Sequence, residues 1–145
     1  MKKLFLVLIL FAGCRPSNQI GEMVGAIQQR TLEETTWIAK ELNGKSVETV
    51  NSEKPIYFKL LVTDQKVHGF GGCNSLTGSY KKEGDKLSAQ LASTRMFCEG
   101  KMETEQALLS VLTGTTKYSI QQDVLTLKNE GKVVAVFKAE AENYN

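Results

Sequence analysis

The residues of this 145-residue chain with most chemistry per side chain are three cysteines and a single histidine. Cys73 follows His68 by five positions, inside the run Gly69-Phe70-Gly71-Gly72-Cys73-Asn74. A nucleophilic thiol needs a base within hydrogen-bond reach, and His68 is the one imidazole available. One reading is therefore a thiol-dependent periplasmic enzyme or redox protein using Cys73 or Cys98. Against it, no Asn or Asp is spaced to orient the imidazole, and His68 falls in a strand pattern, where a histidine is ordinarily a surface or packing residue. Metal binding lacks its spacing as well: His68, Cys73 and Cys98 form no C-x-x-C or H-x-x-H group, so no metal or other cofactor is expected. Nor do the glycines cradle phosphate. Gly69 and Gly71 begin a G-x-G-x-x-G, but Asn74 stands at its third glycine, and a strand pattern follows where a helix is required. Scaffold chemistry remains: glycines let the backbone bend sharply after Phe70, and Asn74 can cap its own turn.

The compartment bears on the cysteines. The chain opens with Lys2-Lys3, an apolar run from Leu4 to Phe11, then Ala12-Gly13-Cys14, the pattern of a secretory signal. The run is far short of the ~20 residues that span a bilayer. Small residues before Cys14 resemble a bacterial lipobox, with Phe11 and the adjacent Leu10 where a leucine is usual. Residues 1–13 are expected to be removed and Cys14 to be lipidated, which makes the membrane a partner through the anchor. Arg15, where an Asp would retain the protein at the inner membrane, points to the outer membrane facing the periplasm. The alternative is an ordinary signal peptide that leaves Cys14 discarded or free. Cleavage removes two lysines and leaves 16 basic against 16 acidic side chains on 132 residues, so no electrostatic case exists for nucleic acid. In an oxidising compartment Cys73 and Cys98 are an even pair, and a disulfide between them would staple loop to helix; two buried, reduced thiols are the other outcome.

Those residues need elements to place them. Residues 14–33, broken by Pro16, Gly21 and Gly25, read as a tether; 34–140 read as one domain and 141–145 as a tail. Alternation and turn residues predict strands over 36–42, 56–62, 67–70, 78–82, 86–91, 117–121, 124–128 and 132–138, with Asn43-Gly44, Glu83-Gly84-Asp85, Gln122-Asp123 and Glu130-Gly131 as turns. Phe58, Leu60 and Val62 form one face of the second strand. The exception is 99–112, where Met102, Gln106, Leu109 and Leu112 or Thr113 keep helical spacing, broadened by Leu108 and Val111. Glu99, Glu103 and Glu105 lie in its first half, and Gly114 ends it. The fold expected is mainly β: a curved antiparallel sheet of about eight short strands wrapped on one amphipathic helix, as a partly open barrel.

The order Gly72-Cys73-Asn74-x-x-x-Gly78-x-Tyr80, then Thr94-Arg95-Met96-x-Cys98, then Glu105, resembles the META domain, the family of HslJ-like lipoproteins. Trp37 ahead of Asn43-Gly44 and the closing Leu125-Thr126-Leu127 also fit, so the resemblance spans roughly residues 34–139. It implies the same curved sheet on one helix, a bacterial envelope protein linked to heat shock and resistance to a hydrophobic antibiotic, and no established catalytic activity. The function expected is a non-enzymatic binding or stress-response role for a protein or apolar small-molecule partner. Its working surface would be the seam of sheet and helix, with Met102, Leu108, Leu109, Val111 and Leu112 as candidate lining residues. Glu105 is either a structural acid or a ligand contact.

Overall fold

A computed structural model describes residues 29–48 and 54–141 of the chain. The signal sequence, Cys14, most of the tether and residues 142–145 of the tail lie outside these. In chain order the elements are β1 (Thr36–Leu42), β2 (Lys45–Ser46), β3 (Tyr57–Leu61), β4 (Lys66–Phe70), β5 (Ser75–Glu83), β6 (Lys86–Ser93), α1 (Met102–Gly114), β7 (Lys117–Gln121), β8 (Val124–Asn129) and β9 (Lys132–Ala139). Alternation buries Trp37, Ala39 and Leu42 of β1, Phe58 and Leu60 of β3, Leu76 and Tyr80 of β5, Leu125 and Leu127 of β8, and Ala135 and Phe137 of β9. Every second side chain thus leaves water on the same side, which forces the strands to curl around a common interior. At its centre Phe58 and Phe137 meet edge to face, centroids 4.9 Å apart.

The nine strands pair antiparallel in the order β2-β1-β3-β4-β5-β6-β7-β8-β9, and β1 also pairs with β9, so the sheet returns on itself as a ring. The strand beyond the expected eight is the two-residue β2, the return arm of the Asn43-Gly44 turn, where both residues have positive φ. Closure is uneven. β5 and β6 pair along their whole length from Leu76↔Ser93 to Glu83↔Lys86, whereas β6 and β7 share one registered pair, Lys86↔Lys117. α1, which connects β6 to β7, packs mainly against β6 and sends Leu108, Val111 and Leu112 into the ring.

Most boundaries fall within a residue or two of the sequence pattern, and four of the differences have a local reason. β3 ends at Leu61, so Val62 turns away and is 55% exposed instead of extending the Phe58–Leu60 face. β5 begins at Ser75, three residues ahead of the expected strand, because the bend after Phe70 is finished by Asn74. The helix starts at Met102, since Gly100 takes φ +75° and breaks the right-handed run that Glu99 would begin. Gly114 is its last residue, and the stop is the extended Thr115. Packing also begins at Leu32, ahead of residue 34: Leu32 is buried and its carbonyl accepts the Trp37 indole N–H at 2.9 Å.

The buried face of α1 is Glu105, Leu108, Val111 and Leu112. Met102 and Leu109 are half-buried at its edge, and Gln106 and Thr113 are exposed. The stripe is therefore turned by about one residue from the Met102-Gln106-Leu109 line, and the cause is Glu105, which faces inward because it has partners there.

Candidate functional site

Those partners belong to Asn74, which has no exposed surface. Its backbone N–H donates to Glu105 Oε2 at 2.7 Å and its Nδ2 to Glu105 Oε1 at 2.9 Å. Nδ2 also donates to the Met96 carbonyl at 2.9 Å, while Oδ1 accepts from Thr94 Oγ1 and from the Met96 N–H, each at 2.8 Å. The Asn74 carbonyl accepts the Gly71 N–H at 2.9 Å, which closes the glycine turn. One amide side chain thus ties together the β4–β5 loop, the segment after β6 and the first turns of α1. Of its side-chain hydrogen-bond partners the Glu105 carboxylate is buried, and leaving it unpaired would be costly.

The disulfide runs parallel to this network. Cys73 and Cys98 are bonded, with Cα atoms 5.8 Å apart, so loop and helix approach are joined covalently beside the amide. The Cys73 sulfur lies 3.6 Å from the Met96 carbonyl, a contact without a proton, since a disulfide sulfur has none to give. His68 does not join. It sits on the outer, exposed side of β4, in register with Lys59 and Thr77. The thiol–imidazole pair that the sequence allows is not assembled. Among the described residues no three His, Cys, Asp or Glu side chains cluster closely enough to hold a metal ion.

All the motif residues but the exposed Arg95 divide into two groups. Gly72, Cys73, Asn74, Thr94, Met96, Cys98 and Glu105 converge on the hub, Met96 through its backbone alone. Gly71, which the motif reading passed over, belongs with them: a Cβ there would lie 2.6 Å from Glu105 Cγ. Its reason sits 34 positions later in the chain, where no local pattern shows it. Trp37, Gly78 and Tyr80 serve the ring instead. Gly78 lets β5 lie against β6, since a Cβ would fall 2.0 Å from the Gln90 carbonyl. The buried Tyr80 donates its hydroxyl to Glu33 Oε1 at 2.7 Å, and Lys82 Nζ donates to Glu33 Oε2 at 2.7 Å. Burial first, then the Glu33 carboxylate, pushes the Tyr80 phenol far above its ordinary range; the Lys82 hydrogen bond leads in holding Glu33 below the usual carboxylate range. Glu33 was also outside the motif.

Pinning residues 94, 96 and 98 to the hub leaves the side chains of Arg95, Met96 and Phe97 outward. Arg95 is exposed, Met96 is 60% exposed and Phe97 82%. Below this tip, Met96, Phe97, Met102, Gln106 and Leu109 line an open groove of about 260 Å³. Of the candidate lining residues, Met102 and Leu109 reach it, while Leu108, Val111 and Leu112 are core. A second cleft, about 220 Å³, lies across the glycine turn between Ile56, Gly71, Gly72, Lys101 and Thr104.

A ring-like antiparallel sheet with one inserted helix, locked by an asparagine–glutamate hub and a disulfide, defines a scaffold class. The chain belongs to the META domain family, whose model matches residues 30–141. It is similar in structure to a protein from Burkholderia xenovorans solved by NMR, at 27% identity and a TM-score of 0.64, covering 77% of this chain and 85% of that one. A second NMR structure, at 23% identity and a TM-score of 0.58, covers 74% of this chain and 90% of that one and shares its fold. A search of the curated proteins found no match.

Proposed function

We propose that the protein is a lipid-anchored envelope protein of the META (HslJ-like) family, held at the outer membrane through Cys14 and facing the periplasm. Its domain is a non-enzymatic binding module for a protein or apolar ligand in envelope stress, and its working surface is the β6–α1 seam at the Arg95–Phe97 tip. The observation that carries this reading is the contrast at that end of the molecule. The buried polar groups there are paired with one another, and beside the exposed Arg95 and Gln106 they hold apolar side chains toward solvent: Phe97 at 82% exposure and Met96, above the half-buried Met102 and Leu109. An exposed apolar feature held in place by a satisfied buried network suits recognition. The heat-shock and drug-resistance roles rest on family resemblance.

Two experiments test it. Metabolic labelling with an alkyne fatty acid should tag the wild type and leave Cys14→Ser untagged; equal labelling of both removes the anchor. In cells dependent on the protein under envelope stress, His68→Ala should keep the phenotype and Leu109→Asp, with folding and abundance verified, should lose it. The reverse pattern would restore the thiol enzyme that uses Cys73 or Cys98.

A further inference from the structure

We infer that the Arg95-Met96-Phe97 tip is a membrane-docking element that enters the headgroup boundary of the bilayer in which Cys14 is anchored. The inference rests on the anchored reading above and names the apolar partner as the lipid surface itself.

The tip has the shape for it. Two large apolar side chains stand on a short loop whose backbone cannot retreat, because Met96 N–H and C=O are both held by Asn74 and Cys98 is bonded to Cys73. Met96 and Phe97 therefore stay exposed at the rim of the open groove. The headgroup–acyl boundary accepts apolar side chains that reach ~5–10 Å inward. Arg95 is exposed within the tip and lines its groove, a cation suited to phosphate headgroups.

The tether allows it. From the shared pair Lys86↔Lys117, β6 runs one way to Ser93 and β7 runs the other way to Gln121. The tip therefore lies at one end of the seam and the Gln122 turn at the other, roughly 35 Å apart at ~3.3 Å per residue. The Arg30 N–H donates to the Gln122 carbonyl, so the chain comes in at that far end. The fifteen residue steps from Cys14 to Gln29 reach up to about 50 Å when extended. Lipid and tip can thus enter one bilayer with the seam lying along it. A tethered tip also needs little affinity of its own, since the anchor makes its second contact intramolecular.

The test uses the full lipidated chain with Phe97→Trp in phosphatidylethanolamine–phosphatidylglycerol vesicles carrying brominated acyl chains. Trp37, with no exposed surface, supplies a constant background that also reports on folding. Co-flotation with the vesicles reports the anchor; quenching and a blue shift of the added tryptophan report the tip. Flotation with quenching is the expected result. Flotation with an unquenched, water-like tryptophan overturns the tip while leaving the anchor. A tryptophan unquenched in vesicles but shielded in whole envelopes assigns the tip to a protein and overturns the inference equally. If the chain does not float, the anchor fails, and the tip is decided by Cys14→Ser protein. There Phe97→Ser should lower vesicle partition on the order of tenfold, and equal partition of both proteins overturns it.

Discussion

Asn74 illustrates how much one side chain can hold when none of it is exposed. Replacing it by alanine removes four side-chain hydrogen bonds and leaves Glu105 Oε1 unpaired beside a cavity, with Oε2 still held by the backbone N–H, at about 3 kcal/mol. Urea unfolding of Asn74→Ala should show a midpoint lowered accordingly, with an unchanged slope; a variant within 1 kcal/mol of wild type (about a fivefold change in the unfolding constant) would mean water substitutes for the amide. Tyr80 gives a pH signature of known sign. Its phenol is held above its ordinary value of 10.0, so its contribution is complete below that pH and is lost as the pH climbs toward the folded value. The stability advantage of wild type over Tyr80→Phe should therefore shrink above about pH 10, as read by denaturant midpoints across an alkaline series. Glu33 runs oppositely: its lowered pKa gives stability present above the ordinary carboxylate range and lost as pH falls through it.

At the scale of elements, the disulfide and the asparagine constrain the same segment by different means. Cys73 and Cys98 stand 25 positions apart, and closing a loop of that length removes about 3.5 kcal/mol of unfolded-state entropy in the chain model. Reduction should lower the thermal midpoint by several degrees. Its cost should be less than additive with that of Asn74→Ala, because both release the approach to α1. Thiol titration of denatured, unreduced protein checks the bond directly: no reactive sulfur is expected from Cys73 or Cys98. The strands were the legible part of the sequence, since Trp37-x-Ala39 or Leu125-x-Leu127 declares a buried face locally and Asn43-Gly44 declares a turn. The helix was legible in existence but not in rotation. Hydrophobic spacing counted Met102 and Gln106, whereas Glu105 is drawn inward by an amide 31 residues away. The motif residues were likewise visible as a set, while the division between hub and ring was not. Cys73, Asn74 and Gly78 look alike as neighbours, and only the folded contacts separate Asn74, facing Glu105, from Gly78, facing Gln90. Phe97 carried no signal at all, because exposure depends on what fails to cover a residue.

For the whole molecule, the single pair between β6 and β7 and the helix beside it mark where the ring is least firmly shut. Amide exchange should locate this: β5 and central β6 protected to the global limit, with the Lys117–Ser119 end of β7 opening at lower free energy. Uniform protection across β7 would place the weak point elsewhere. The opposite join has a different character. β1 meets β9 through Trp37↔Ala139 and Leu42↔Ala135, partners about a hundred positions apart, so the first strand made is completed by the last. Contacts of such separation form late and slowly. In a chain exported amino end first, as proposed above, this order would act as a timing device. Until the final 14 residues, from Lys132 onward, are across, β1 and β8 each hold an unpaired edge and Trp37 lacks its cover. Under that proposal the polypeptide would stay threadable through transit, and whatever shields the two open edges would have to act before β9 arrives.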